Sequence, residues 1–297
     1  MRHTGNRFLF LLLLTAFAAT VTACDSRLPV NDNERVAAGY TGQFAYIESS
    51  NDLSVVIQDA AATSDGIVLI ANLQDANYSY VGRKAYILDS ECKIDDSFEL
   101  TGSAAAATDY SCSNNTLLCL TGNELTLLDL DTLQPTTLSL ESECTSVTGL
   151  ADGFITASSA TVWRYDSSGS PISSAKPANN EQVASEFESV FESDDSFFLV
   201  TRPNSPEFVY SYNKIDFDSG VVTPVCTSAD CGIDGTDCFG EFAFTKDGEV
   251  VINPCTQTTT QLEKSAYTDL KPSEVSGSYK QLFAIDNNRY LRAFTSS

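Results

Sequence analysis

The stretch Asp109–Leu140 contains four short apolar segments separated by tight turns, and this pattern constrains the fold more than any other feature. Ser113-Asn114-Asn115 and Gly122-Asn123 separate the first three segments, and Asn and Gly are residues that turns favour. Short strands joined by such turns predict a four-stranded antiparallel meander. The four predicted strands are Tyr110–Cys112, Thr116–Thr121, Glu124–Asp129 and Thr136–Leu140.

The same pattern recurs in units before and after this stretch, with helical periodicity nearly absent. The recurring units are Gln58–Leu100, Ser146–Ser174, Phe187–Cys226 and Phe239–Leu270. Asp129, Asp166 and Asp216 lie at the third turn of three units, where we expect each Asp to bond its own backbone. We also expect Trp163 and Tyr165 to pack one unit against the next.

Two shorter units lie towards the ends of the chain. The first is the predicted hairpin of Gln43–Glu48 and Leu53–Ile57, and the second is that of Lys280–Ile285 and Tyr290–Phe294. A four-stranded repeat of roughly 32–45 residues resembles the blades of β-propellers. The resemblance implies an all-β fold, a six-bladed β-propeller closed by N- and C-terminal half-blades, which removes open sheet edges. Seven blades, or a two-sheet β-sandwich pair, are the alternatives.

The N-terminal stretch has a basic head without acids, an apolar run over Phe8–Val21 and the sequence Val21-Thr22-Ala23-Cys24. This architecture is typical of an export signal. The last four residues resemble the lipobox of bacterial lipoproteins, which implies cleavage before Cys24 and diacylglycerol and palmitate chains on Cys24. Two or more chains are what stable anchoring needs. The alternative is an ordinary secretory signal that leaves Cys24 as a free thiol.

These features predict the domain organisation and the location of the protein. We expect a signal peptide over residues 1–23, a lipidated N-terminus and tether over 24–38, and the propeller domain over 39–297. In the enterobacterial sorting rule, an Asp after the lipidated Cys resembles an inner-membrane retention signal. Asp25 therefore favours the periplasmic side of the inner membrane, and the outer membrane is the alternative.

Eight of the nine cysteines follow Cys24, and an even number in an exported chain predicts disulfide bonds rather than zinc ligands. In the hairpin around Thr245–Gly248, pairing Phe244 with Glu249 would place Cys238 opposite Cys255. Cys226 and Cys231 would close a tight loop. The blade scheme places the remaining cysteines on shared faces, which favours the pairs Cys92–Cys112 and Cys119–Cys144 over the pairs Cys112–Cys119 and Cys92–Cys144.

The composition excludes several kinds of chemistry. The only His is His3 and the only Met is Met1, and both lie in the predicted signal peptide. A mature chain without His has no Ser-His-Asp or Cys-His catalysis, and without His and Met it lacks the ligands that suit copper and haem. Asp and Glu number 40 against 17 Lys and Arg, a charge that repels nucleic acid. We therefore expect neither a catalytic residue nor a nucleic-acid partner.

The loop Asp230–Cys238 is the most acidic stretch between bridging cysteines. Asp230, Asp234 and Asp237 are oxygen ligands of the kind that Ca²⁺ takes in flexible loops. The spacing is not that of an EF-hand, and a solvated turn is the alternative, so we expect no cofactor unless Ca²⁺ binds here.

Three functional hypotheses remain. The first is a membrane-anchored, non-enzymatic scaffold or assembly factor that binds an envelope protein through a propeller face, an analogy drawn from the fold. The second is an enzyme that uses carboxylates or Ca²⁺ near the central channel on a polysaccharide or ester. The third is a surface binder of glycans or small molecules. Converging Asp, Glu, Arg and Tyr would favour the second hypothesis, and exposed aromatic residues on one face would favour the third.

Overall fold

The structure is a computed structural model of the 297-residue chain. It describes residues 53–64, 66–89, 93–177, 185–193, 195–203 and 209–230, together with five short strands between residues 238 and 293. Within that part of the chain, no helix has the length and apolar character needed to cross a membrane. The predicted signal peptide, lipobox and tether lie outside the described residues.

Four consecutive four-stranded antiparallel meanders make up most of the described chain, and we refer to them as blades one to four. Blade one contains β1 (Ser54–Ala62), β2 (Gly66–Gln74), β3 (Tyr80–Asp89) and β4 (Ile94–Leu100). The short helix α1 (Gly102–Ala106) then leads to blade two. Blade two contains β5 (Asp109–Ser113), β6 (Thr116–Thr121), β7 (Glu124–Asp129) and β8 (Pro135–Ser139).

Blades three and four share a continuous eight-stranded sheet. Blade three contains β9 (Ser146–Leu150), β10 (Gly153–Ala157), β11 (Val162–Asp166) and β12 (Pro171–Pro177). Blade four contains β13 (Ser185–Ser193), β14 (Ser196–Pro203), β15 (Ser211–Asp216) and β16 (Val221–Thr227). The outermost strands β12 and β16 pair in parallel, with Lys176 opposite Val221 and Pro177 opposite Val222.

Two smaller sheets follow in the chain. One contains β17 (Cys238–Phe239), β18 (Phe242–Phe244) and β19 (Val250–Ile252), and the other contains β20 (Gln281–Asp286) and β21 (Arg289–Ala293). The first strands of successive sheets adjoin one another in the order β20, β1, β5, β9, β13, and β17 also contacts β20. In a propeller, the first strands of neighbouring blades adjoin one another, and the later strands of each blade lie progressively farther out. The predicted all-β propeller fold is confirmed, and the number of blades stays a prediction.

Blade-to-blade packing explains why β6 is apolar along its whole length. Leu117 and Cys119 point into a core shared with blade one, which includes Val68 and Ile70. Leu118 and Leu120 point the other way, into a core shared with blade three that includes Phe154 and Tyr165. Successive strand residues face opposite sides of a sheet, so a blade covered on both sides needs apolar residues at every position. A third core of the same kind joins blades three and four.

The first strands of blades two and three lie so close together that only glycine fits at one position. A Cβ on Gly149 would lie 1.7 Å from the main-chain oxygen of Cys112. The main-chain N–H of Gly149 donates to Ser111 Oγ at 2.8 Å, and Ser113 Oγ donates to the carbonyl of Leu150 at 2.6 Å. Side-chain hydroxyls of β5 therefore bind the main chain of β9.

One predicted half-blade differs from the structure. Leu53–Ile57 was assigned to a terminal half-blade, but residues from Ser54 onward lie in β1, which pairs with β2 as the first strand of a complete blade. The polar residues Gln58 and Asp59 interrupt the apolar pattern because a β-bulge lies between Ile57 and Asp59. The other predicted strand of that half-blade, Gln43–Glu48, lies outside the described residues.

Candidate functional site

The hairpin between β2 and β3 ends in a turn that presents a tyrosine to solvent. Asp75 Oδ1 accepts hydrogen bonds from the main-chain N–H groups of Asn77 and Ser79 at 2.8 and 2.9 Å. These two bonds hold the pKa of Asp75 below its usual range. Tyr78 adopts the left-handed conformation with φ of 61°, which costs energy for a residue with a Cβ. The turn thus holds Tyr78 in a conformation for which Gly or Asn is the usual choice.

The end of this hairpin exposes three large apolar side chains within four residues. Tyr78 is 81% exposed, Tyr80 55% and Val81 56%. We call these three residues the hairpin-tip surface. Exposed apolar groups that occur together, rather than singly, are typical of interaction sites. The other large apolar side chains exposed among the described residues are separated in the sequence, at Ile94, Leu133, Ile172 and Val225.

An open groove adjoins this surface, between β3 and helix α1. It has a volume of about 410 Å³ and is lined by Tyr80, Arg83, Gly102, Ala105 and Ala106. We call it the Arg83 groove. Gly102 has φ of 58°, so it supplies the left-handed residue with which α1 begins after β4. The α1 residues that line the groove are small, and Arg83 is the one charged residue of its lining.

Arg83 is held in place by uncharged acceptors. Its Nε donates to Asn72 Oδ1 at 2.8 Å, and its Nη1 donates to the carbonyl of Ala107 and to the Tyr110 hydroxyl, both at 2.7 Å. The Tyr110 hydroxyl in turn donates to the carbonyl of Ala104 at 2.6 Å. Burial raises the pKa of Tyr110 to about 12, so it stays protonated and can make this bond. The guanidinium carbon lies 5.5 Å from the centre of the Tyr110 ring.

A second group of polar residues lies where the first strands of blades one, two and three adjoin. Asp59 of β1 accepts a hydrogen bond from the main-chain N–H of its neighbour Ala60 at 2.8 Å, and the main chain of Tyr110 in β5 lies near enough to lower the pKa of Asp59 in part. Asp109 of β5 accepts one from the main-chain N–H of Val147 in β9 at 2.7 Å. Asp109 thus binds the main chain of the next blade.

The two carboxyl groups also affect each other. Loss of solvation raises the pKa of Asp59, and the charge of Asp109 raises it further. Loss of solvation likewise raises the pKa of Asp109, while its hydrogen bonds to Val147 and Ser146 lower it in part. Both residues are partly buried and remain partly accessible to solvent. The pair can therefore hold a proton near neutral pH.

The structure tests part of the predicted disulfide framework and contradicts one pair. Cys119 and Cys144 are both thiols without a disulfide between them. Cys119 lies in the core between blades one and two, whereas Cys144 packs with Leu118 and Leu120 in the core between blades two and three. The β-sheet of blade two separates these cores, so the prediction of Cys119–Cys144 was wrong. Cys112 lies in the same core as Cys119, as the alternative scheme requires.

The other predicted pairs each include a residue outside the described residues. These residues are Cys92, Cys231 and Cys255, so the pairs Cys92–Cys112, Cys226–Cys231 and Cys238–Cys255 stay predictions. The register used for the last pair was wrong, because Phe244 pairs with Val250 rather than with Glu249. Cys238 lies in the separate strand β17, opposite Ala243.

The third-turn aspartates have the predicted turn role. Asp129 accepts from the main-chain N–H of Thr132, Asp166 from that of Ser168, and Asp216 from that of Asp218, at 2.8 to 3.0 Å. The pKa values of the three carboxyls lie below their usual range, chiefly through hydrogen bonds from the Thr132 main chain to Asp129, from the Ser168 hydroxyl to Asp166 and from Ser219 to Asp216. The predicted packing role of the aromatic residues is also confirmed, since Tyr165 stacks on Phe154 at 4.9 Å with Trp163 beside it, in the core between blades two and three.

The calcium candidates fall only partly in the described chain. Asp230 Oδ2 accepts hydrogen bonds from the main-chain N–H and the hydroxyl of Thr227, at 2.9 and 2.7 Å, so it closes a turn. Asp234 and Asp237 lie outside the described residues. Within the described ranges, no three His, Cys, Asp or Glu side chains come together as a metal-binding group.

Comparison with known proteins gives structural neighbours but no family. No family model matches the chain, and no curated protein matches it. The Neurospora crassa Pan2 WD40 domain aligns with TM-score 0.39 and 10% identity, covering 76% of this chain and 80% of that one. BamB from Moraxella catarrhalis aligns with TM-score 0.34 and 12% identity, covering 70% and 76%. A chain of a mitotic checkpoint complex aligns with TM-score 0.38 and 10% identity, covering 61% and 66%. The fold assignment rests on the blade topology described above.

Proposed function

We propose that this chain is a lipid-anchored scaffold of the bacterial cell envelope that binds a protein partner through the hairpin-tip surface. The observation that carries the proposal is the joint exposure of Tyr78, Tyr80 and Val81. Tyr and Arg are the residue types enriched at the energetic centres of protein interfaces, and Arg83 adjoins this surface in the groove that Tyr80 also lines. The strained conformation of Tyr78 supports the same conclusion, because strain persists where function requires it.

The binding surface is tested by site-specific photo-crosslinking in native membranes. A benzophenone amino acid at position 80 should crosslink one protein in stoichiometric yield, and native pull-down should recover the same protein. Position 172 provides the matched control, because Ile172 is also 55% exposed but lies in blade three. Equal crosslinking from both positions, or none from position 80, would contradict the proposal. A glycan adduct at position 80 would instead support the glycan-binding alternative.

The lipid anchor is a separate part of the proposal and has its own test. The variant Cys24→Ser lacks the predicted acylation site, so the protein should lose palmitate label and move from the membrane fraction to the soluble periplasmic fraction. The variant Asp25→Ser should keep the label and change only the membrane in which the protein is found. Retention of palmitate label in Cys24→Ser would refute lipidation at this residue.

A second candidate function is carboxylate-dependent catalysis, and one observation favours it. Asp59 and Asp109 lie on adjoining first strands and have raised pKa values, and the charge of Arg83 acts on Asp59. Paired carboxyls with different proton affinities are suited to general acid–base work. Purified protein would be assayed on polysaccharide and ester substrates. Turnover that Asp59→Asn abolishes would establish this function, and turnover that survives it would refute the assignment.

A further inference from the structure

We propose that the Arg83 groove binds an acidic side chain, Asp or Glu, of an extended segment in the protein partner. This inference rests on the proposed scaffold function and adds the chemistry of the partner. The apolar side chains of the same segment would cover Tyr78, Tyr80 and Val81. Three features of the groove support this assignment, namely its charge, the fixed position of Arg83 and its open shape.

The charge of the groove is opposite to that of the rest of the molecule. The chain carries 40 acidic and 17 basic residues, yet the five residues that line the groove include one base and no acid. An acidic partner segment would be repelled by most of the surface and attracted here. Complementary charge of this kind fixes where and in which register a partner binds.

Arg83 is positioned before any partner arrives. Nε and Nη1 are bound by an amide oxygen, a main-chain carbonyl and a phenol, which are uncharged acceptors. The acid on which the Arg83 charge acts is Asp59, whose raised pKa keeps it largely protonated at neutral pH. A planar guanidinium forms its strongest contacts with carboxylates. Because the side chain is already ordered, binding does not have to immobilise it, which lowers a cost that flexible surface arginines incur.

The shape of the groove favours a segment that passes across it. Ala105 and Ala106 line the groove on the α1 side, and the groove is widely open to solvent. An open groove accommodates a side chain of a continuous chain, whereas capture of a chain terminus uses a closed end. Tyr80 lines the groove and belongs to the hairpin-tip surface, so a single segment can contact both.

Charge substitutions at Ala106 provide the test, because this side chain is exposed and its replacement leaves the Arg83 network intact. The probes are acetylated, amidated peptides of sequence Leu-Glu-Leu-Glu-Leu and Leu-Gln-Leu-Gln-Leu, and an acetylated Leu-Gln-Leu-Gln-Leu with a free C-terminal carboxylate. Binding to the full-length mature protein in detergent would be followed by fluorescence anisotropy and by the NMR signal of Arg83 Nε–H.

The proposal predicts that the Glu peptide binds at least about 10-fold more tightly than the amidated Gln peptide and shifts the Arg83 signal. Ala106→Glu should abolish this preference, whereas the matched variant Ala106→Gln should retain it. Equal binding of the Glu and Gln peptides, or an unmoved Arg83 signal, would overturn the proposal. Tight binding of only the free-carboxylate peptide would overturn it in favour of a C-terminal ligand.

The crosslinking experiment distinguishes failure of the scaffold function from failure of this inference. If the crosslink from position 80 persists at full yield in Ala106→Glu, the protein partner is real but does not use an acidic side chain at Arg83. If the crosslink is absent in the unmodified protein as well, the scaffold function itself fails.

Discussion

The carboxylate of Asp109 accepts a hydrogen bond of 2.7 Å from the main-chain N–H of Val147, so the first strand of blade two binds the first strand of blade three. One blade earlier, Asp59 of β1 lies near the main chain of Tyr110 in β5, which lowers the pKa of Asp59 in part. Contact between the first strands of blades two and three is therefore made in part by an acidic side chain and not by apolar packing alone. The same two carboxyls lose solvation on folding, and the charge of Asp109 opposes ionisation of Asp59, which leads to the first prediction.

The stability of the domain should decrease as the pH rises from about 4 to about 8. The pKa of Asp59 rises from 3.8 to about 8 and that of Asp109 from 3.8 to about 6 on folding. The folded state therefore binds more protons than the unfolded state in this range. The stability that the domain has at low pH is lost as the pH rises through the folded-state pKa values. At pH 8, Asp59→Asn should raise the free energy of unfolding by at least about 1 kcal/mol.

Thermal melts between pH 4 and pH 9 provide the measurement for this prediction. Asp75→Asn is a suitable control because the pKa of Asp75 is lowered, so this variant should gain no stability at pH 8. A pH profile of Asp59→Asn that is parallel to that of the unmodified protein would show that Asp59 does not titrate in this range.

Gly149→Ala should be among the most destabilising small substitutions in the protein. The added Cβ would lie 1.7 Å from the Cys112 oxygen, so the backbones of β5 and β9 would have to separate. We expect a loss at the upper end of about 1–3 kcal/mol, measured by urea unfolding. Gly82→Ala is the matched control in β3, where the new Cβ meets nothing within 4 Å. A similar loss in both variants would indicate a general effect of removing glycine from a strand.

The thiols of Cys119 and Cys144 should behave independently. Burial raises the pKa of Cys119 to about 12, so alkylating reagents should not label it in the folded protein. After denaturation without reductant, Cys144→Ser should leave the labelling of Cys119 unchanged, as determined by mass spectrometry. An increase in Cys119 labelling in this variant would mean that the two residues are bridged after all.

Tyr78→Asn should separate stability from binding. Asn tolerates the left-handed conformation better than Tyr does, so the free energy of unfolding should stay the same or rise by up to about 1 kcal/mol. Because the exposed ring is lost, partner recovery in a pull-down should fall several-fold. Reduced stability together with full partner recovery would show that Tyr78 has a structural role.

Part of the fold followed directly from local sequence signals. The strands Thr116–Thr121 and Glu124–Asp129 were predicted with their observed bounds, because turn residues end both of them. β1 was not recognised as the first strand of its blade, since the bulge at Gln58 and Asp59 places polar residues inside it. The hairpin register around β18 was predicted one residue off, which places the wrong side chains opposite each other.

The candidate sites depend on contacts that the local sequence does not contain. Asp59 is one of 40 acidic residues, and only the approach of Asp109 from the neighbouring blade distinguishes it. Tyr78 and Tyr80 flank a serine at the start of a strand, where tyrosine is common, so their exposure was not predictable from composition. The one available signal was the Arg83-Lys84 pair in a strongly acidic chain.

The parallel pairing of β12 with β16 has a consequence for how the domain opens. The main-chain N–H of Lys176 donates to the carbonyl of Gly220 at 3.0 Å. This hydrogen bond lies in the pairing of β12 with β16, which joins the sheets of blades three and four. We therefore expect blades three and four to open as one cooperative unit, with amide protons that exchange together. Blades one and two have separate sheets, and each can open without breaking a ladder that belongs to its neighbour.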